Sequence, residues 1–160
     1  MAVRTLTRFT MLGMFLVLFG FQPRAQSNDP VVGTWVLNVA KSKFNPGPAP
    51  KSETRTYAVA GNEIKATSTG VDADGKATSA AWTVVYDDKE RPVTGDPDAD
   101  TLMLKRVDAN TTTFTEKKAG KVVLTGTRAV SKDGKTLTIT TKGTNAKGQK
   151  VDTVTVYDRK

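Results

Sequence analysis

A chain of 160 residues with neither cysteine nor histidine has room for one domain and lacks the side chains for thiol nucleophiles, imidazole-based triads and the usual zinc sites. Its 24 basic and 16 acidic residues give a formal charge of +8, but the positive charges are spread along strands and turns, as at Lys117-Lys118 and at Lys132 and Lys135. They lack the interleaved aromatics of a nucleic-acid platform, which argues against nucleic acid as a partner.

The first 27 residues read as an export leader. Arg4 and Arg8 form a basic n-region, and Phe9 to Phe21 is an apolar run of 13 residues, short for a membrane span. Ala25-Gln26-Ser27 offers a cleavage site after Ser27; cleavage after Ala25 is the competitor, but it places Pro23 where a small side chain is preferred. The expectation is a signal peptide over 1–27 and a mature domain over 28–160, exported to the periplasm or the extracellular space, with an uncleaved anchor as the alternative. The mature domain keeps 21 basic residues against 16 acidic ones. Without disulfides it depends on burial and backbone hydrogen bonding.

From Val31 onward, segments of seven to ten residues rich in Thr, Val, Leu, Ile and Tyr are punctuated by Gly, Asn or Asp. That spacing is an all-β pattern. The first strand covers about Gly33 to Val39. Phe44 to Pro50 carries three prolines in five residues, which forbids helix and ladder alike; it reads as an extended loop crossing an end of the barrel. Strands follow over Ser52 to Ala60, with Arg55, Tyr57 and Val59 in one phase, and over Glu63 to Thr69. After the Asp72–Gly75 turn, Thr78 to Tyr86 places Ala80, Trp82, Val84 and Tyr86 on one face. Asp87 to Asp100 is the longest irregular segment. Strands resume over Thr101 to Val107, Thr111 to Lys117, Val122 to Val130, Lys135 to Lys142 and Lys150 to Asp158. Nine strands joined by mostly short turns form an antiparallel up-and-down meander, and a twisted meander of about 8–10 strands closes into a single β-barrel. A flat sandwich is the runner-up, but it needs longer crossovers.

Gly33-Thr34-Trp35 resembles the glycine-x-tryptophan signature of the first strand in lipocalins and fatty-acid-binding proteins, the calycin superfamily. Lys135 to Gly143 with Val156-Tyr157-Asp158-Arg159 is similar to the last hairpin of the fatty-acid-binding barrels. The chain from Gly33 onward, Pro92-Val93-Thr94-Gly95 included, resembles a group of bacterial exported lipocalin-like proteins of unassigned function. The resemblance implies a lipocalin-like barrel in which Gly33 and Trp35 plug the closed end. It also implies that an arginine of a late strand covers the indole: Arg128 first, Arg106 second. The second and third lipocalin motifs and the two-helix lid of the fatty-acid-binding proteins have no counterpart here. Where those proteins clamp a carboxylate with Arg-x-Tyr, this chain has Thr155 two residues before Tyr157, and threonine supplies no bidentate charged contact.

Asp96, Asp98 and Asp100 alternate like the start of a calcium loop, but no glycine follows and Val107 stands where a bidentate glutamate would fall, so they read as an acidic turn. No acid-base or nucleophile constellation is evident; neither catalysis, a metal nor a cofactor is expected. Candidate cavity residues are the large side chains in common phase: Tyr57, Trp82, Val84, Tyr86, Leu102, Leu104, Phe114 and Tyr157. The same residues could instead fill a dry core. Two functions follow. The first is a monomeric, exported carrier of a small hydrophobic or amphipathic molecule. The second is a solid barrel whose Phe44–Pro50 and Asp87–Asp100 loops bind an envelope protein or a glycan.

Overall fold

Side chains of an extended strand point to alternate faces, so the alternation of threonine with aliphatic and aromatic residues decides which face of each strand turns inward. The computed structural model describes residues 28–160; the leader read over 1–27 lies outside the described residues. Ten strands make up the domain: β1 (Gly33–Leu37), β2 (Ser52–Ala60), β3 (Glu63–Val71), β4 (Ala77–Val84), β5 (Arg91–Thr94), β6 (Thr101–Arg106), β7 (Thr111–Lys118), β8 (Lys121–Val130), β9 (Thr136–Thr144) and β10 (Lys150–Arg159). Each pairs antiparallel with its chain neighbours, and β1 pairs with β10, Trp35 opposite Arg159 and Leu37 opposite Tyr157, to close the barrel. Closure leaves no free sheet edge. The closed antiparallel meander fits a lipocalin-like, or calycin, fold. No helix among the described residues is long and apolar enough to cross a membrane.

Two expectations are corrected. The tenth strand, β5, lies inside the segment read as irregular; Pro92 and the flanking acidic turns mask it. It is a thin stave, pairing through two residues with β4 and two with β6. The Phe44–Pro50 segment, read as crossing an end of the barrel, begins along the wall instead. After a 3-10 turn at Val39–Lys41, Lys43 bridges to Val154 and Asp152 N–H donates to the Asn45 carbonyl, so the chain runs along β10. It thereby extends the wall where the short β1 has ended, and reaches the far rim at Pro50.

The barrel is solid at one pole and hollow toward the other. Ile64, Val84, Leu137 and Trp35, all fully buried, pack together at the pole where β3 and β9 begin and β4 and β10 end. Trp35 Nε1 donates to the Val31 carbonyl at 2.8 Å, which folds the preceding segment across the floor. The arginine over the indole is Arg159, with its guanidinium 4.1 Å from the ring centroid, and not Arg128 or Arg106. The register explains this: Arg159 stands directly opposite Trp35 across the closing seam, whereas Arg128 sits opposite Thr112 and Ile139. The Arg159 guanidinium also donates to the Val32 and Pro30 carbonyls, at 2.8 and 2.6 Å. Gly33 sits at φ +140°, a backbone conformation that strains any side chain with a Cβ, and its bare Cα leaves room for Arg159 Nη1. Beside this plug, the nearly buried Asp29 carboxylate accepts from the Tyr86 hydroxyl at 2.8 Å and pairs with Arg106, whose guanidinium lies 3.8 Å from the Tyr86 ring centroid.

Candidate functional site: a polar-ended cavity in the upper barrel

The hollow half encloses a cavity of about 280 Å³, at the small end of the range for organic ligands. Of the residues expected to line it, Tyr57, Trp82, Leu102, Leu104 and Phe114 do so. The Tyr57 and Trp82 rings meet edge to face, 6.0 Å apart at 80°. Three others are placed elsewhere. Val84 belongs to the packed pole, Tyr86 reaches down to Asp29 on the floor, and Tyr157 is fully buried behind the wall with its hydroxyl committed to Glu53. Gly126 keeps one stretch of wall thin: a Cβ there would strike the Phe114 ring and the Thr140 carbonyl.

Unforeseen are the charged side chains that face the same space. Glu53, Arg55, Asp96, Asp98, Glu116 and Arg128 all line the cavity. Glu53 and Arg55 are successive inward positions of β2, paired at 2.7 Å. Glu53 also accepts from Ser68 at 2.6 Å and from Tyr157 at 2.8 Å. Burial pushes the Glu53 carboxyl up, but Arg55 and the hydrogen bonds from Ser68, Tyr157 and Arg55 outweigh it and hold the group below its ordinary range. The Arg55 guanidinium packs 5.3 Å from the Tyr157 ring centroid and 5.7 Å from that of Trp82. Burial, opposed by Arg55 and reinforced by Glu53, keeps the Tyr157 phenol protonated. Arg55 therefore stands in the cavity although Thr155 occupies the position of the clamp arginine in the fatty-acid-binding pattern. The sequence signal was the phase itself: Glu53, Arg55 and Tyr57 alternate on one face, and Tyr57 turns inward.

The rim is acidic and stitched. Asp98 N–H donates to Asp96 at 2.8 Å, while Asp98 itself accepts from Ala146 N–H of the β9–β10 turn, also at 2.8 Å. Asp100 accepts from Ala119 N–H at 2.8 Å and pairs with Lys118 at 2.9 Å. The three aspartates read as an acidic turn thus tie three connections together around the mouth. Burial raises Asp96 against the pull of the Asp98 N–H, and the Asp98 charge adds to the rise. Among the described residues no group of three or more potential ligand side chains is arranged to hold a metal ion. Deeper in, Arg128 is 5 % exposed; its Nη2 donates at 3.0 Å to the Tyr86 hydroxyl, which in turn donates to Asp29. Burial, only partly offset by Arg128 and reinforced by Asp29, pushes the Tyr86 phenol up to about 12. Chemically the space offers a broad aromatic and aliphatic surface for an apolar body, with charged groups at both ends to fix its orientation. No protein-family model matches the chain, and no curated protein matches it in sequence.

Proposed function

We propose that the protein is an exported lipocalin-like binding protein that holds a small hydrophobic or amphipathic molecule in the upper barrel and performs no chemistry on it. The observation that carries this reading is the cavity of about 280 Å³ with Tyr57, Trp82, Leu102, Leu104 and Phe114 on its walls. A barrel meant to be solid would fill that space, since apolar voids forfeit packing contacts. The packed pole under Trp35 makes the cavity blind at one end, so that a ligand would enter and leave past the stitched rim. The alternative of a loop-borne contact surface depends on Phe44 as an exposed handle, and Phe44 is instead partly buried against the core.

The test is native mass spectrometry of the protein purified gently from an exporting host, followed by titration with hydrophobic fluorophores while Trp82 emission is followed. A retained small molecule, or saturable quenching that Trp82→Phe abolishes, is the expected result. A clean apo mass together with no uptake of any probe overturns the carrier reading.

A further inference from the structure

The cavity has two unbalanced ends. At its inner end Arg128 carries a buried positive charge whose guanidinium has, among the described residues, a single hydrogen-bond partner, the neutral Tyr86 hydroxyl. Its guanidinium rests 5.2 Å from the Tyr57 ring centroid and 5.8 Å from that of Tyr86. The ion pairs among the described residues engage other basic groups, and no carboxylate lies within 4.0 Å of Arg128. The nearest anion, Asp29, lies beyond the Tyr86 hydroxyl and is already paired with Arg106, so the inner end carries one positive charge more than its described carboxylate matches. At the mouth the imbalance is reversed. Glu116 faces the cavity from β7, and no described donor bonds its carboxylate. Burial, followed by the charges of Asp96 and Asp98 and eased by Arg55, pushes it up to about 7. Arg55 cannot neutralise the mouth, because its charge is already matched to Glu53.

We propose that the cavity takes a dipolar ligand, one whose carboxylate or similar anionic group lies against Arg128 and whose amine lies at the mouth against Glu116, Asp96 and Asp98, with an apolar spacer along Leu102, Leu104 and Phe114. This inference rests on the carrier reading above and narrows it. A simple anion would satisfy Arg128 but leave three carboxylates facing one another. A simple cation would satisfy the mouth and leave Arg128 unmatched. A molecule with both charges supplies each end with its missing partner, so that each of its desolvated groups is repaid by an opposite charge. The spacing favours an extended molecule: Arg128 lies opposite Thr112, four residues before Glu116 on β7, roughly 13 Å along a strand and less once the side chains lean together.

Three probes with one spacer test this at pH 8 by calorimetry on the purified protein: 8-aminooctanoate, octanoate and octylamine, with octanol as the uncharged member. The expected result is that 8-aminooctanoate binds about tenfold or more tightly than either singly charged probe, the gain of one charge-assisted hydrogen bond. Glu116→Gln should then erase the preference over octanoate, and Arg128→Gln the preference over octylamine. Should Arg128→Gln fail to fold, Glu116→Gln decides alone, since it removes a charge that burial disfavours. Octanoate, octylamine or octanol binding as tightly as 8-aminooctanoate overturns the inference and leaves the carrier reading standing. If none of the four binds and no molecule is retained from the host, the carrier reading fails, and this inference with it.

Discussion

Replacing Arg55 by methionine removes the cation paired with Glu53 and leaves Ser68 and Tyr157 as the described partners of that carboxylate. The two side chains are 26 and 17 % exposed to the cavity, so the low end of the cost of breaking a buried pair applies, about 3 kcal/mol. For a domain of this size that lowers Tm by roughly 10 °C. The pH dependence carries the sharper test. In the wild type Glu53 lies below its ordinary 4.5, so it contributes stability that is present above 4.5 and lost as pH falls through the lowered folded value. In Arg55→Met the burial of Glu53, the largest influence on it, loses its main opponent and carries the carboxyl above 4.5. The ionised carboxylate then costs stability at neutral pH, and that cost fades as pH falls through the raised value toward 4.5. The gap between wild type and variant is therefore widest near neutrality and narrows on acidification. Urea unfolding at pH 7.5 and pH 5 measures it, and Glu53→Gln combined with Arg55→Met should recover most of the loss. A gap that stays constant or widens at pH 5, or a double variant no better than the single one, refutes the reasoning.

Three further outcomes are expected. Arg159→Ala should cost about 1–2 kcal/mol in urea unfolding, from the stacking on Trp35 and two carbonyl contacts; in a Trp82→Phe background it should shift Trp35 emission, whereas Arg128→Gln should not. Asp29→Ala takes from Arg106 its carboxylate partner, leaving it the Ala109 carbonyl, and frees the Tyr86 hydroxyl on the floor; about 1–3 kcal/mol of lost stability is expected by the same assay. Gly126→Ala forces a methyl against the Phe114 ring and the Thr140 carbonyl; a loss of about 1–3 kcal/mol is expected, and a neutral result would mean that β7 and β8 can separate locally.

The wall of the barrel was largely legible, because threonine and aliphatic residues alternate over most of its length and turn residues mark each reversal. Ser52–Ala60 has the bounds its alternation predicts. The missed stave, β5, is the one place where pattern and pairing part: a proline occupies one of its four positions, and so few ladder bonds are needed there that the missing N–H is tolerated. Part of the site was legible for the same reason as the wall, since the phase of Tyr57, Trp82, Leu102, Leu104 and Phe114 is their orientation. The charged half was not. Glu53, Arg55 and Glu116 sit in that same inward phase, but a charged residue on a strand is ordinarily solvated, and only three-dimensional pairing tells which ones are buried. Register decided the plug: Arg128 and Arg159 both lie on late strands in inward phase, and only the closing seam assigns the indole to Arg159.

The seam has a consequence for the order in which the barrel can be completed. β1 is the first stave synthesised and β10 the last, and Trp35 receives its cover from Arg159 across that join. Until Lys150–Arg159 has emerged, the growing sheet has two open margins, an uncovered indole and a floor held from one side. Assembly therefore cannot be finished piecemeal from the N-terminal side. The nascent chain commits to its closed form only when its latest-made segment meets its earliest, a long-range step that slows folding and leaves the incomplete sheet open and aggregation-exposed until then.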